Sequence, residues 1–212
     1  MSIIIRQEEE RDYRRVEEIA REAFWNLYFP GTDIPVVVNK LRRSSDFIKE
    51  LTYVIEVNGK VEGAIFYTNS KIIDKKEVEH KVISFGPVFI SPEFHRQGLG
   101  RKLITYTIEK AKEMGYRAII TLGYPYHYEP YGFLGGKQYG ISMPDMKFYR
   151  GLLVLPLYEG ALENISGYVI FSNDLEATQE EIEEFDKRFP YKEKGFQESQ
   201  LEYEKACAEL DE

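Results

Sequence analysis

The stretch "SPEFHRQGLGRKLI", Ser91 to Ile104, places Arg96, Gln97, Gly98 and Gly100 after an apolar run and before a helix-like pattern. Glycines let a backbone approach a ligand closely, and the first turn of a helix has unpaired N–H groups. With the helix dipole, these groups form an anion site suited to phosphate. Arg96, Arg101 and Lys102 would add positive charge to it. A glycine turn that only starts a helix is the competing reading, because short glycine motifs are common. Two nucleotide loops fit the residues poorly, and nucleotide binding here would require ATP to compete for the same site. A Walker loop needs Lys-Ser/Thr after its last glycine, and Gly100 is followed by Arg101-Lys102. The dinucleotide fingerprint needs a small residue where Leu103 stands and an acid at the end of the next strand, and "RAIITLG" ends without one. No His, Cys, Asp or Glu cluster has metal-ligand spacing, so no metal is expected.

Regular elements must hold this loop. Ile3 to Arg6 reads as a strand, and "EEERDYRRVEEIAREAFW" as an amphipathic helix with Val16, Ile19, Ala20, Ala23 and Phe24 at helical spacing. "YFPGTDIP" breaks it, and a second helix is expected from Val36 to Phe47. Val54 to Val57 and Val61 to Tyr67 flank Asn58-Gly59, a hairpin signal. "KVISFGPVFI" reads as a buried strand in which Gly86-Pro87 predicts a bulge or an early end to pairing. Leu99 to Met114 follows as a helix, with Leu103, Ile104, Thr107, Ile108 and Ala111 inward and Gly115 as its stop. "RAIITL" is the next strand, and "YPYHYEPYGF" has room only for a short turn of helix between prolines. Further on, "FYRGLLVLPLY" and "GYVIF" read as strands. Thr178 to Phe189 reads as a helix opened by a capping box at Thr178 and Glu181, and Ser199 and Glu202 repeat that spacing before the last helix. One domain is expected, with residues 1–140 as its core and residues 141–212 extending it.

Composition narrows the function. The net charge of −8 argues against a nucleic-acid binder, is compatible with a cationic substrate, and is ordinary for a soluble surface. Cys207 is the only cysteine, so no intrachain disulfide can form, which fits a reducing compartment. Ile3 to Ile5 are too few apolar residues for a signal peptide, and no run nears the ~20 apolar residues of a membrane helix. A soluble cytoplasmic protein is expected. The 16 tyrosines and 13 phenylalanines would let a wall be apolar and still offer hydroxyls. "QEEERD" reads as the solvated start of a helix and "RRSSDF" as a solvent-facing basic patch. "EEIEEFDKRF" reads as an exposed face with Ile182, Phe185 and Phe189 inward, and Cys207 as a small apolar filler.

Taken in this context, "VFISPEFHRQGLGRKLI" resembles the acetyl-CoA-binding motif of the GNAT superfamily of N-acetyltransferases. That motif is a strand, often a proline, then Gln/Arg-x-x-Gly-x-Gly/Ala opening a helix. "HYEPYGF" resembles a second signature, Tyr-x-x-x-Gly-Phe, and it follows the next strand as the family requires. The resemblance covers Ile3 to Phe133 in element order and is sharp from Phe85 to Phe133. It is closest in kind to poorly characterised bacterial and archaeal acetyltransferases. His95 departs from the motif, standing at its Gln/Arg position.

The resemblance implies an α/β (α+β) fold: a mixed, mostly antiparallel central sheet whose two middle strands splay apart, with helices on both faces. It implies acetyl-CoA as acyl donor. The pantetheine arm would lie along Val88, Phe89 and Ile90, pairing with the backbones of Val88 and Ile90. The pyrophosphate would sit on Arg96, Gln97, Gly98, Leu99, Gly100 and Arg101, with His95 beside it. A backbone N–H near Val88 would support the oxyanion, and Tyr128 would protonate the leaving thiolate or only pack against the cofactor. A tyrosine of pKa about 10 keeps its proton at neutral pH. Glu56, Glu79, His80 and His127 are the base candidates, beside a water chain. The acceptor would be an amine of a small molecule or peptide. Its pocket is expected from Trp25 to Ile34, the loop after the hairpin and the segment after Gly140. The tail would close that pocket or make a homodimer contact. The aromatic "AFWNLYFP" and the net acidity favour a cationic, partly apolar amine. A CoA-binding sensor or scaffold without catalysis is the alternative.

Overall fold

The computed structural model describes residues 2–211. β1 (Ile3–Gln7) leads to α1 (Tyr13–Phe24), whose apolar stripe of Val16, Ile19 and Ala20 is fully buried. α2 (Ile34–Leu41) is shorter than expected from the sequence. It ends before the run Ser44 to Asp46, where the Ser44 hydroxyl accepts from the Asp46 N–H in a turn, and Phe47 instead bridges to Thr68. β2 (Tyr53–Val57) and β3 (Lys60–Asp74) form the expected hairpin, with Asn58 and Gly59 at φ of 52° and 80°. β3 runs past Tyr67 because β4 (Glu79–Ile90) and the later β9 (Gly167–Ile170) both pair with its far half. α3 (Leu99–Glu113) follows, stopped by Gly115 at φ 76°, and then β5 (Ala118–Leu122).

The remaining elements complete the sheet. They are α4 (Pro125–Tyr128), β6 (Leu134–Gly135), β7 (Ile141–Ser142), β8 (Leu152–Pro156), β9 (Gly167–Ile170), α5 (Gln179–Asp186) and α6 (Glu198–Ala208). Nine strands join in the order β1-β2-β3-β4-β5-β8-β6, with β9 on β3 and β7 on β9. Most neighbours are antiparallel; β4 and β5 are parallel, as a strand–helix–strand crossover requires. Alternation along the strands sorts the core onto two faces. Ile55, Ile65 and Ile83 pack under α3, while Val54, Ala64 and Phe66 pack under α1 and α2.

β4 and β5 share only the register pairs Ile83↔Ile119 and Ser84↔Ile120. Beyond them the strands splay. The β4–β3 register shifts across Gly86-Pro87, so the bulge expected from the proline is present. From Val88 to Ile90, β4 keeps β3 on one edge and has no strand on the other among the described residues.

Four charged side chains of the first two helices and their flanks are buried. Glu8, Arg42 and Glu17 form a closed cluster, with Arg42 bonded to Glu8 at 2.7 Å and to Glu17 at 2.8 Å. Asp12, also buried, holds Arg6 at 2.6 Å. The expectation of a solvated "QEEERD" holds for Gln7, Glu9, Glu10 and Arg11 and is corrected for Glu8 and Asp12; that of a solvent-facing "RRSSDF" holds for Arg43 and Ser45 and is corrected for Arg42. Arg42 reaches inward over the Tyr13 ring, 3.9 Å from its centroid, and both carboxylates follow it. The capping box at Thr178 and Glu181 forms as expected, and Ile182, Phe185 and Phe189 turn inward. The second one does not: Ser199 lies inside α6, Gln197 holds the N-cap position without a side-chain bond, and the Ser199 hydroxyl donates to the Leu27 carbonyl at 2.8 Å.

Candidate active site

The glycine loop sits where the splay opens. Arg96 and Gly98 take φ of 59° and 79°, which turns successive backbone N–H groups toward one side. Gly98 is the N-cap of α3, and no side chain caps the helix. Its first bond runs from the Lys102 N–H to the Gly98 carbonyl at 3.1 Å. The amides of Leu99, Gly100 and Arg101 precede that bond and form the exposed positive end of a 15-residue helix. Gln97 is tied back to the Glu93 carbonyl at 3.0 Å. Nε2–H of His95 donates to the Ile90 carbonyl at 2.9 Å, so this side chain covers the open edge of β4. Val88 and Ile90 are half-buried on that edge, while Phe89 faces the opposite, α1 side.

Tyr128 lies across the mouth of the splay. α4 begins at Pro125, whose fixed φ suits a first helical position, and Gly132 at φ 93° ends the following turn. Its ring packs on Phe85 at 5.4 Å and on Phe133 at 5.8 Å between centroids. The third side is Gly123, where a Cβ would overlap the Tyr128 ring. Burial pushes the Tyr128 hydroxyl well above the ordinary tyrosine range, so it holds its proton.

On its far side Tyr128 borders a cavity of about 560 Å³. The end of β5 (Leu122, Gly123), α4 (His127, Tyr128), the segment Met143 to Gly151 and α6 (Tyr203, Cys207) line this half-open cavity, with Tyr28 entering from the loop after α1. Asp145 lies on its wall and accepts from the Tyr149 hydroxyl at 2.7 Å, which holds the carboxyl below its usual pKa. His127 lies against Tyr126, with 4.3 Å between centroids, and partial burial lowers its pKa, so the ring is neutral near pH 7.

Of the expected pocket segments, the loop after α1 contributes Tyr28 and the stretch after Gly140 contributes most of one wall. Trp25 is buried instead, donating to the Glu193 carbonyl. The other base candidates are elsewhere: Glu79 pairs with Lys71, His80 with Asp74 and Glu56 with Arg6. Cys207 is an exposed residue of the cavity wall, not an apolar filler. Sequence reading missed Gly123, Asp145, Tyr149 and Tyr203. Only Gly123 left a signal, as a glycine at the end of a strand with no turn to require it.

A nine-stranded mixed sheet, splayed after one short parallel pairing and carrying a glycine loop at the splay, defines an acetyltransferase class of fold. The family model described as the acetyltransferase (GNAT) family matches residues 10–131, more than half of the 212 residues. The chain belongs to that family and is an N-acetyltransferase by class. The uncharacterized N-acetyltransferase YhbS of Escherichia coli strain K12 is 27% identical over 149 residues, which are 65% of this chain and 89% of that protein. The crystal structure of YhbS from Escherichia coli in complex with CoA has a TM-score of 0.71 at 21% identity, covering 81% of this chain and 91% of that one. A GNAT family acetyltransferase from Brucella melitensis in complex with acetyl-CoA has a TM-score of 0.67 at 20% identity, covering 82% and 99%. At these identities the two structures establish the shared fold. Among the described residues, no helix is long and apolar enough to cross a membrane.

Proposed function

We propose that the protein moves an acetyl group from acetyl-CoA to the nitrogen of an amine by direct transfer. The observation that carries this reading is the place of Tyr128, one face on the cluster that Val88 and Ile90 join and the other on the 560 Å³ cavity. A donor along β4 and an acceptor in the cavity would meet at its hydroxyl.

The loop residues fit the donor. His95 to Arg101 would receive the pyrophosphate, with backbone amides supplying most of the contact and Arg96 and Arg101 adding charge. Gly100 supports this. A Cβ there would meet Ile90 at an ordinary 3.6 Å, so the fold itself does not exclude a side chain. The need for a bare backbone lies outside the chain, as a close ligand would impose. Val88 and Ile90 would pair with the pantetheine arm, the Ile90 carbonyl exchanging His95 for it. A bulge at Gly86-Pro87 leaves these groups free of a second strand, and the Val88 amide is the candidate oxyanion donor.

In the transfer, the bound ammonium first gives one proton to solvent; its nitrogen then bonds to the acetyl carbon and the carbon–sulfur bond breaks. Tyr128 gives its hydroxyl proton to the departing sulfur. His127, neutral and in the same wall, takes the proton lost by the amine, and solvent returns the tyrosine's. The test is thiol release with an amine panel. Tyr128→Phe should lower kcat by about 10²-fold or more with acetyl-CoA affinity unchanged. If wild type and variant both bind CoA and neither acetylates any amine, a sensor or scaffold role replaces the enzyme.

A further inference from the structure

We infer that the cavity behind Tyr128 is an acceptor site for small cationic amines with an aromatic or apolar body, held between a tyrosine wall and Asp145. This rests on the proposed transferase reading and narrows its substrate.

Three observations carry it. The first is size and the helix beside it. About 560 Å³ suits a small molecule. α6 crosses the side where a peptide would have to continue, and it is fixed at both ends. Gln200 donates to the Asn26 carbonyl at 2.9 Å at one end. At the other, the Arg150 N–H donates to the Glu209 carbonyl and the Asp211 N–H to the Phe148 carbonyl, at 2.9 and 2.8 Å. Between the anchors, Tyr203 stacks on Tyr28 with 4.2 Å between ring centroids. α6 buries only Gln200 along its length, so its place over the cavity comes from these anchors and not from a core of its own.

The second is surface chemistry. Tyr28, Tyr124, Tyr128 and Tyr203 line the cavity together with Leu122 and Met143. Aromatic faces attract both an apolar body and a cation.

The third is charge. No lysine or arginine is among the described lining residues, and Asp145 is their one carboxylate. Asp145 forms an exposed ion pair with the Lys147 ammonium at 3.7 Å, which an entering ammonium would share. An ammonium entering here meets one carboxylate and no lining cation, a setting that favours it over a carboxylate.

Cys207 makes the site directly testable, because it is the only cysteine and lies on the cavity wall. Purified full-length protein is labelled with iodoacetamide and followed by intact mass, with CoA at saturation and with phenethylamine, phenylalanine or spermidine added. Thiol release from acetyl-CoA is measured with the same amines. Phenethylamine is expected to slow Cys207 labelling at least about fivefold and to be acetylated. Zwitterionic phenylalanine and apolar-poor spermidine should do neither as well. Asp145→Asn should raise the KM for phenethylamine about tenfold with CoA binding unchanged. Acetylation of an amine without protection of Cys207 would overturn this inference while leaving the transferase standing. CoA binding with neither protection nor preference for aromatic cations also overturns it. Absence of CoA binding defeats the transferase reading itself.

Discussion

Gly123→Ala is the substitution most informative about Tyr128. The new methyl would occupy space now held by the edge of the Tyr128 ring. That ring cannot retreat easily, because Phe85 and Phe133 pack on it at 5.4 and 5.8 Å. Gly123 cannot retreat either, since its N–H bonds to the Gly151 carbonyl at 2.9 Å. Forcing a methyl into such a site costs about 1–3 kcal/mol. For a chain of this length that lowers Tm by about 2–12 °C. The displaced hydroxyl would leave the reacting sulfur, so kcat should fall by about 10²-fold or more. Two controls separate the effects in thermal melts and thiol-release assays. Tyr128→Phe keeps the packing and should lose kcat with little change in Tm. In a Tyr128→Ala background, Gly123→Ala should no longer lower Tm, since the clashing ring is gone. Wild-type Tm and kcat in Gly123→Ala would refute the placement of Tyr128.

Other perturbations have equally definite outcomes. Arg42→Ala should cost about 3–5 kcal/mol in urea unfolding, because it strands the buried Glu8 and Glu17 carboxylates; a loss below about 1 kcal/mol, as for an exposed pair, would contradict that. Burial raises Tyr67 and Tyr128 above the usual tyrosine pKa and Tyr28 to about 12. In the unfolded chain these groups ionise near about 10, so above that pH the unfolded state binds fewer protons than the native one. Their stabilising contribution is complete below about pH 10 and is lost as pH rises, and a urea midpoint unchanged up to about pH 11 would be inconsistent with it. His127→Gln should lower kcat by about 10²-fold without changing acetyl-CoA affinity; an unchanged kcat would leave deprotonation to water.

What the sequence displayed was local chemistry. Asn58-Gly59, Gly98 and Gly115 all take left-handed backbone, and each is readable because few other residues do so. Gly86-Pro87 announced its bulge for the same kind of reason, and the motif from Phe85 to Phe133 therefore appeared in register. Contacts between distant residues were hidden. Glu8 and Arg42 are 34 positions apart and both read as surface charge, yet they neutralise each other inside the fold. α6 shows almost no apolar stripe, so nothing in its sequence tells that polar anchors lay it over a cavity. The cavity wall from Met143 to Gly151 lies beyond the family match and holds ordinary turn residues until the fold brings them to Tyr128.

The most direct measurement is calorimetric titration of the full chain with acetyl-CoA, beside a variant carrying Gly98→Glu and Gly100→Glu. Glutamate at position 98 would have to adopt φ near 79°, and both carboxylates would oppose a pyrophosphate at the start of α3. Micromolar binding by the wild type that the variant loses, with melting curves showing the variant folded, is the expected result. Equal binding by both proteins, or none by the wild type, would contradict a donor site on the loop from His95 to Arg101.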